Sequence, residues 1–462
     1  MNRSEETTAK ARPAPDPRGP GAHPRRPAAD VTTPRREPQL VNPSEGAAQM
    51  RRRSVVVIGG GFGGLEVVHA LAGCEIDVTL MDRKNHHCFQ PLLYQVATAA
   101  LSPADVAWPI RSIFSAQKNV TVIMAEVDRV DTGGQVVTTT DGLNIPFDEL
   151  VIATGVTSSY FNHPEWAQYA AGLKTIEDAT RIRARILGCF ERAERTADPA
   201  ARQTSMTFVI VGGGPTGVEL AGSIAEIAQN VLARDFRHIN PRTAKVVLVE
   251  AGERLLSAFA ADLSRYTEGA LQRMGVEVLT RASVARCSDD GVVLADGRRI
   301  DSCCVLWAAG VRATPAANWL GAQADRAGRL LVDAQLRVPP HPNIFAIGDI
   351  AAARSEGRPV PGLAPAAKQM GRFVGELITR KVSGLKGEQP VFVYRHQGDL
   401  ATIGRKSAVV SIGRLRLTGF LGWLFWSVVH VYFLIGVRNR VAVAINWSWE
   451  YLTFQRGARL IS

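Results

Sequence analysis

Residues 54–64 read Ser-Val-Val-Val-Ile-Gly-Gly-Gly-Phe-Gly-Gly, and their reading decides the fold. The β-branched run at 54–58 predicts a buried parallel strand. Gly59, Gly61 and Gly64 follow at the spacing G-x-G-x-x-G, with Phe62 and Gly63 between them, and 65–71 has a helical pattern. Such glycines allow a tight turn, the close approach of a pyrophosphate and the packing of helix on strand. The phosphates then lie at the positive end of the helix. A second strand at 77–81 ends on Asp82, 18 residues past Gly64, where an acid meets a ribose hydroxyl. Strand, loop, helix and acid in register predict a dinucleotide site.

Working outward, 207–220 repeats the pattern. A strand runs into Gly212, Gly214 and Gly217 and then a helix, 153 residues after the first fingerprint. The next strand, 244–249, ends on Glu250, 33 residues beyond Gly217, because 230–243 inserts a loop. An internal repeat of this kind predicts two bound dinucleotides and an α/β fold of two Rossmann-like domains. Residues 149–155 form a strand running into a Thr154-Gly155 turn, which 305–310, ending on Gly310, echoes. Residues 343–349 end a buried strand on Gly348 and Asp349. Asp349 can hold ligand hydroxyls or cap the helix expected at 363–380, and the sequence leaves both open.

At 462 residues the chain has room for two or three domains. Its net charge of +11 is uneven: +5 over 1–53, −1 over 54–404 and +7 over 405–462. A near-neutral body with a basic end fits an anionic membrane surface better than nucleic acid. Residues 1–53, rich in Pro, Ala and Arg, are expected to be a disordered tail. The six cysteines contain no C-x-x-C, so reduced core thiols are expected. His86 and His87 have no carboxylate or thiol at ligand spacing on a helix, and no metal is expected. The stretch 83–97, from Arg83 through Phe89, Pro91 and Leu92, suits one wall of a flat ring pocket.

The apolar run 417–437 is 21 residues long, and four of the eight tryptophans lie at 423, 426, 447 and 449. About 31 Å of helix would cross a bilayer of ~30 Å. Arginines at 438, 440, 456 and 459 favour in-plane attachment instead, if the nucleotide domains are cytoplasmic.

On 57–65, 82–98, 211–221, 345–349 and 447–460, the chain resembles the type II (alternative, non-proton-pumping) NADH:quinone oxidoreductases. The resemblance covers 54–462 and implies a two-dinucleotide flavoprotein with a C-terminal membrane-associated helical segment. It assigns FAD to the first fingerprint with Asp82 and Asp349, and NADH to the second with Glu250. The isoalloxazine is expected near 89–93, beside Ala366. The family's A-Q-x-A-x-Q pattern reads Ala364-Pro365-Ala366-Ala367-Lys368-Gln369 here, so Gln369 matches and Pro365 replaces the first glutamine. Glu219, Lys368 and Gln369 are the expected catalytic residues, with Glu219 placed to meet the nicotinamide carboxamide or to carry protons to quinone. The expected division is 54–172 and 306–385 for FAD, 173–305 for NADH and 386–462 for the membrane anchor. The resemblance also implies a membrane quinone as partner, possible homodimer contacts and monotopic attachment at the cytoplasmic face of the inner (plasma) membrane. Two other readings are a reductase of a soluble iron–sulfur protein and a non-catalytic NADH-binding redox sensor.

Overall fold

The computed structural model describes residues 52–385, 387, 390–453 and 456–461. The expected tail, 1–53, lies outside the described residues apart from Arg52 and Arg53. In chain order come β1 (Arg53–Ile58), α1 (Phe62–Ala70), β2 (Ile76–Asp82), β3 (Val120–Met124), β4 (Glu149–Ile152) and β5 (Ala170–Gly172). Next are α2 (Ile176–Arg195), β6 (Thr207–Val211), α3 (Pro215–Glu226), β7 (Lys245–Val249), β8 (Val276–Leu279), β9 (Cys304–Trp307) and β10 (Ile344–Ala346). The chain continues through α4 (Ala364–Val382), β11 (Asp399–Gly404), β12 (Ser407–Ile412), β13 (Leu415–Thr418), α5 (Gly419–Phe433) and α6 (Val437–Thr453).

Two parallel sheets carry the body. Their strand orders are β10-β4-β1-β2-β3 and β5-β9-β6-β7-β8. Each places its fingerprint strand at the centre and the acid-bearing strand next to it, so the sequence repeat is a structural repeat. β1 and β6 are apolar on both faces because both faces are covered. In β6, Phe208 and Ile210 pack among residues of α2 and α3, while Val209 and Val211 pack against Cys287, Val292 and Leu294 of a three-stranded antiparallel sheet. Strand β5 hydrogen-bonds in the second sheet, register Ala170 to Val305, although its sequence fell within the expected first domain. Ala-Ala-Gly has no β-branched residue to announce a strand.

The antiparallel sheet β11-β12-β13 lies over α3. The contact is close enough that a Cβ on Gly222 would lie 1.6 Å from the Ile403 carbonyl. From this sheet the chain enters α5 and α6. The apolar run is not one helix: it breaks at Leu434–Gly436, where Gly436 has φ +82°. Among the described residues no helix is long and apolar enough to cross a membrane.

Trp426 and Val443 turn inward and are buried. The other side presents exposed Leu421, Leu424, Val428 and Tyr432 on α5, and Val437, Val441, Ile445 and Trp449 on α6. Spacings of three and four residues make these one apolar stripe per helix. After α6 the chain returns to the body. Arg456 pairs with Glu226 at 3.2 Å and donates to the Thr98 carbonyl at 2.9 Å, and Arg459 pairs with Asp235.

Candidate functional site

The first loop leaves β1 at Gly59, where φ is +110° and a Cβ would lie 2.4 Å from the Ala153 carbonyl. At the other end of the loop, a Cβ on Gly64 would lie 1.9 Å from the Gly59 carbonyl. Only glycine therefore lets α1 start this close to its strand. Asp82 clasps the loop: its two carboxylate oxygens accept from the Gly60 and Lys84 amides, each at 2.7 Å. Buried His87 supports the same turn through Nδ1, 2.9 Å from the Gly60 carbonyl. A cleft of about 660 Å³ opens here, lined by Gly59, Gly61, Asp82, Arg83, Thr154 and Gly155 among others. Thr154 is held by a 2.6 Å hydroxyl contact with Thr314.

The cleft adjoins a cavity of about 240 Å³, and both are lined by Gly61, Gln90, Ala153, Gly155 and Lys174. Phe62, Gly63, Pro91, Gly348, Asp349, Ala364 and Ala367 complete much of the inner wall. Burial raises the Asp349 carboxyl, an effect partly offset by Lys174. Burial lowers the Lys174 ammonium, with Asp349 opposing the shift. The cap of α4 is Leu363, with no side-chain cap bond, so Asp349 is not the cap and faces the cavity. The lining of the trough fits FAD: a glycine turn that would hold the pyrophosphate, Asp82 that would meet one ribose, and Asp349 at the inner end.

Three expected contacts fall elsewhere. Phe89, Leu92 and Ala366 are buried in the core and do not line the cavity. Their neighbours Gln90, Leu93 and Ala367 line it instead, since a turn or a helix faces a wall with only some of its residues. Lys174, Thr216 and Tyr94 also line the cavity, and sequence reasoning did not single them out.

The second loop repeats the first. Gly212 has φ +112°, and a Cβ there would lie 2.6 Å from the Ala308 carbonyl. A Cβ on Gly217 would meet the Gly212 carbonyl at 1.8 Å. Glu250 clasps the loop as Asp82 does, accepting from Gly213 at 2.5 Å and Gly252 at 2.6 Å. The long insertion before β7 leaves this register intact. Gly214 caps α3, and the Gly310 carbonyl accepts from the Ser159 amide at 2.9 Å beside Phe161. These residues fit NADH, with the diphosphate at the α3 N-terminus and Glu250 at the adenosine ribose.

The two sites meet because α3 projects Thr216 and Glu219 from the second loop into the cavity of the first. Burial raises the Glu219 carboxyl well above the usual range, opposed by a hydrogen bond from the Thr402 backbone. Lys368 lies 3.4 Å from Glu66 and 5.3 Å from the centre of the Phe433 ring, joining α4 to α5. Gln369 uses both ends of its amide on the Arg395 backbone, donating to the carbonyl and accepting from the amide at 2.9 Å each. Neither side chain lines the cavity. Cys88 borders the cleft, its thiol pushed up to about 12 by burial.

Two linked dinucleotide sites over one cavity define a pyridine-nucleotide flavoprotein reductase. The pyridine nucleotide-disulphide oxidoreductase family model matches residues 53–371, and the NDH2 C-terminal domain model matches 396–456. The chain is 40% identical over 424 residues to the type II NADH:quinone oxidoreductase Ndh of Mycobacterium tuberculosis, covering 89% of this chain and 91% of that one. It is 41% identical over 427 residues to NdhA of the same organism, with coverage of 89% and 90%. The chain belongs to the type II NADH:quinone oxidoreductase family. Its fold matches that of NDH2 from Plasmodium falciparum in complex with NADH, with TM-score 0.81, 21% identity and coverage of 88% and 100%. The sulfide:quinone oxidoreductase of Aquifex aeolicus shares the fold at TM-score 0.68, 19% identity and coverage of 84% and 92%.

Proposed function

We propose that the chain oxidises NADH at the second loop and reduces a membrane quinone beside the inner wall of the first, without pumping protons. The observation that carries this reading is Glu219: the helix that opens the NADH site lines the FAD cavity. Bound there, FAD supplies the link between a two-electron hydride donor and a quinone. The protein's part is position. The Gly212 loop and Glu250 hold the nucleotide so that its nicotinamide reaches the cavity beside Glu219, which turns encounter into near-attack geometry. Asp349 and Lys174 fix the inner end, and Ala364 and Ala367 leave room for a flat ring. Glu219, whose carboxyl burial raises well above the usual range, is placed to give a proton to reduced quinone.

Lys368 and Gln369 act from the flank. Lys368 joins α4 to the hairpin, and Gln369 holds the 394–396 segment beside α4. The exposed stripes of α5 and α6 lie in the lipid interface, at the cytoplasmic face where NADH is found. A homodimer is carried over from the family resemblance.

The test is direct. The purified protein should be yellow, release FAD on denaturation, bleach with NADH and recolour with a quinone. Bleaching without recolouring by any quinone would overturn the reading. Recovery of the protein in the aqueous fraction after mixing with anionic vesicles would overturn the attachment, and mass photometry in detergent decides the dimer.

A further inference from the structure

Beside the second loop stands an aromatic ring that neither core packing nor backbone preference accounts for. Phe161 is 66% exposed, and its φ of +54° lies in the left-handed region, which a bulky side chain adopts only under constraint. Three hydrogen bonds at Ser159 supply that constraint. Its Oγ accepts from the Phe161 amide at 3.2 Å, its carbonyl accepts from Trp307 Nε1 at 2.7 Å, and its amide donates to the Gly310 carbonyl at 2.9 Å. Trp307, buried at the end of β9, meets the Phe161 ring edge-on, with centroids 6.3 Å apart and planes at 67°.

Gly310 shows where the ring stands. A Cβ there would lie 3.1 Å from Phe161 Cζ and 3.4 Å from Cε1, so the ring presses on the turn that follows β9. The same turn meets the phosphate loop, since a Cβ on Gly212 would lie 2.6 Å from the Ala308 carbonyl and 2.7 Å from Ala309 Cα. Phe161, the 308–310 turn and the Gly212 loop are therefore contiguous. Strand order says which half of a dinucleotide lies on that side. β6 carries the loop, β7 with Glu250 pairs with it on one side, and β9 pairs with it on the other. Ligands of open parallel sheets lie across the C-terminal ends of the strands. With the adenosine ribose at Glu250, the nicotinamide half extends over β9, towards Phe161.

We propose that Phe161 is a plate against which the nicotinamide nucleotide half of NADH packs. The inference rests on the reading of the second loop as the NADH site. A phenylalanine kept for stability would be covered and unstrained. This one is held out in a costly conformation, the pattern of a side chain placed for a ligand. An aromatic face shields a flat partner from water and fixes its orientation, yet one face encloses nothing, so the nucleotide can still leave. No bond forms or breaks at Phe161, and its part is to position.

The experiment uses the full-length, FAD-loaded protein, with NAD⁺ and ADP as probes and calorimetry as the readout. ADP carries the adenosine half alone. Phe161→Asn removes the ring with a residue that tolerates positive φ, and Phe161→Tyr keeps the ring. Phe161→Asn should weaken NAD⁺ binding about tenfold and leave ADP binding unchanged, with no fall in Tm. Phe161→Tyr should bind both probes as the native chain does. In stopped flow, the NADH concentration that half-saturates flavin bleaching should rise about tenfold in Phe161→Asn, while re-oxidation by quinone keeps its rate. Native NAD⁺ affinity in Phe161→Asn overturns the plate. Equal losses for NAD⁺ and ADP overturn it too, because the residue would then be holding the loop. A native protein that neither binds NAD⁺ nor bleaches with NADH would sink the NADH reading itself, and the plate with it.

Discussion

At Gly59 and Gly212 the backbone turns with φ of +110° and +112°, and at Gly64 and Gly217 a Cβ would strike a carbonyl at 1.9 and 1.8 Å. Asp82 and Glu250 clasp their loops through the same two kinds of amide contact. The surroundings differ. The first loop opens into a trough closed at its inner end by half-buried Lys174 and Asp349 and by the wall of α4. Around the second, Ala251, Gly252, Glu253 and Val311 are exposed, and Phe161 is 66% exposed. On the proposed reading, the same phosphate cradle serves a ligand that stays and one that must leave every turnover. Residence is set by what closes over the loop.

Breaking the cradles separates the two roles most sharply. Gly64→Ala should give a colourless protein, since the overpacking costs about 1–3 kcal/mol where FAD must sit. Gly217→Ala should stay yellow and lose bleaching by NADH. Absorption spectra before and after NADH read both, and a yellow, active Gly64→Ala protein would contradict the packing argument.

The acids come next. Glu250→Gln removes the negative charge that opposes a 2′-phosphate, so the preference for NADH over NADPH should fall about tenfold, near 1.4 kcal/mol. The ratio of kcat/KM values reports it, and an unchanged ratio places the adenosine ribose elsewhere.

His87 sharpens the contrast, because it supports the first loop. Burial lowers its imidazole to about 4, well below the ordinary 6.5. The unfolded chain therefore binds the extra proton first, so stability is full above pH 6.5 and falls as the pH drops towards 4. At pH 5 the loss from this residue is about 2 kcal/mol. FAD release on acidification should accordingly be reduced in His87→Asn. Identical release profiles would remove His87 from the account.

The smallest effect is expected at Gln369. Its amide is committed to Arg395, so Gln369→Ala should cost about 1 kcal/mol of stability and slow both half-reactions modestly. A loss confined to re-oxidation by quinone would show instead that the amide turns towards the substrate.

Both fingerprints and their acids were legible because glycine spacing is local chemistry that the fold cannot do without. Lys174 was not, since its partner Asp349 lies 175 residues away and only the packed sheets bring them together. Phe89, Leu92 and Ala366 lie in the right segments but face the core, a matter of helical phase that short irregular turns do not reveal. The 21-residue apolar run suggested a spanning helix by length, whereas one left-handed glycine at 436 divides it. Tyr94 sits in an apolar stretch where its hydroxyl carries no pattern.

The return of the chain after α6, with Arg456 on Glu226 and Arg459 on Asp235, puts both ends of the hairpin on the body. No charged group has to cross a bilayer for such a hairpin to enter or leave it. On the proposed attachment, binding to lipid is then a partition of surface stripes whose occupancy follows the lipid area on offer.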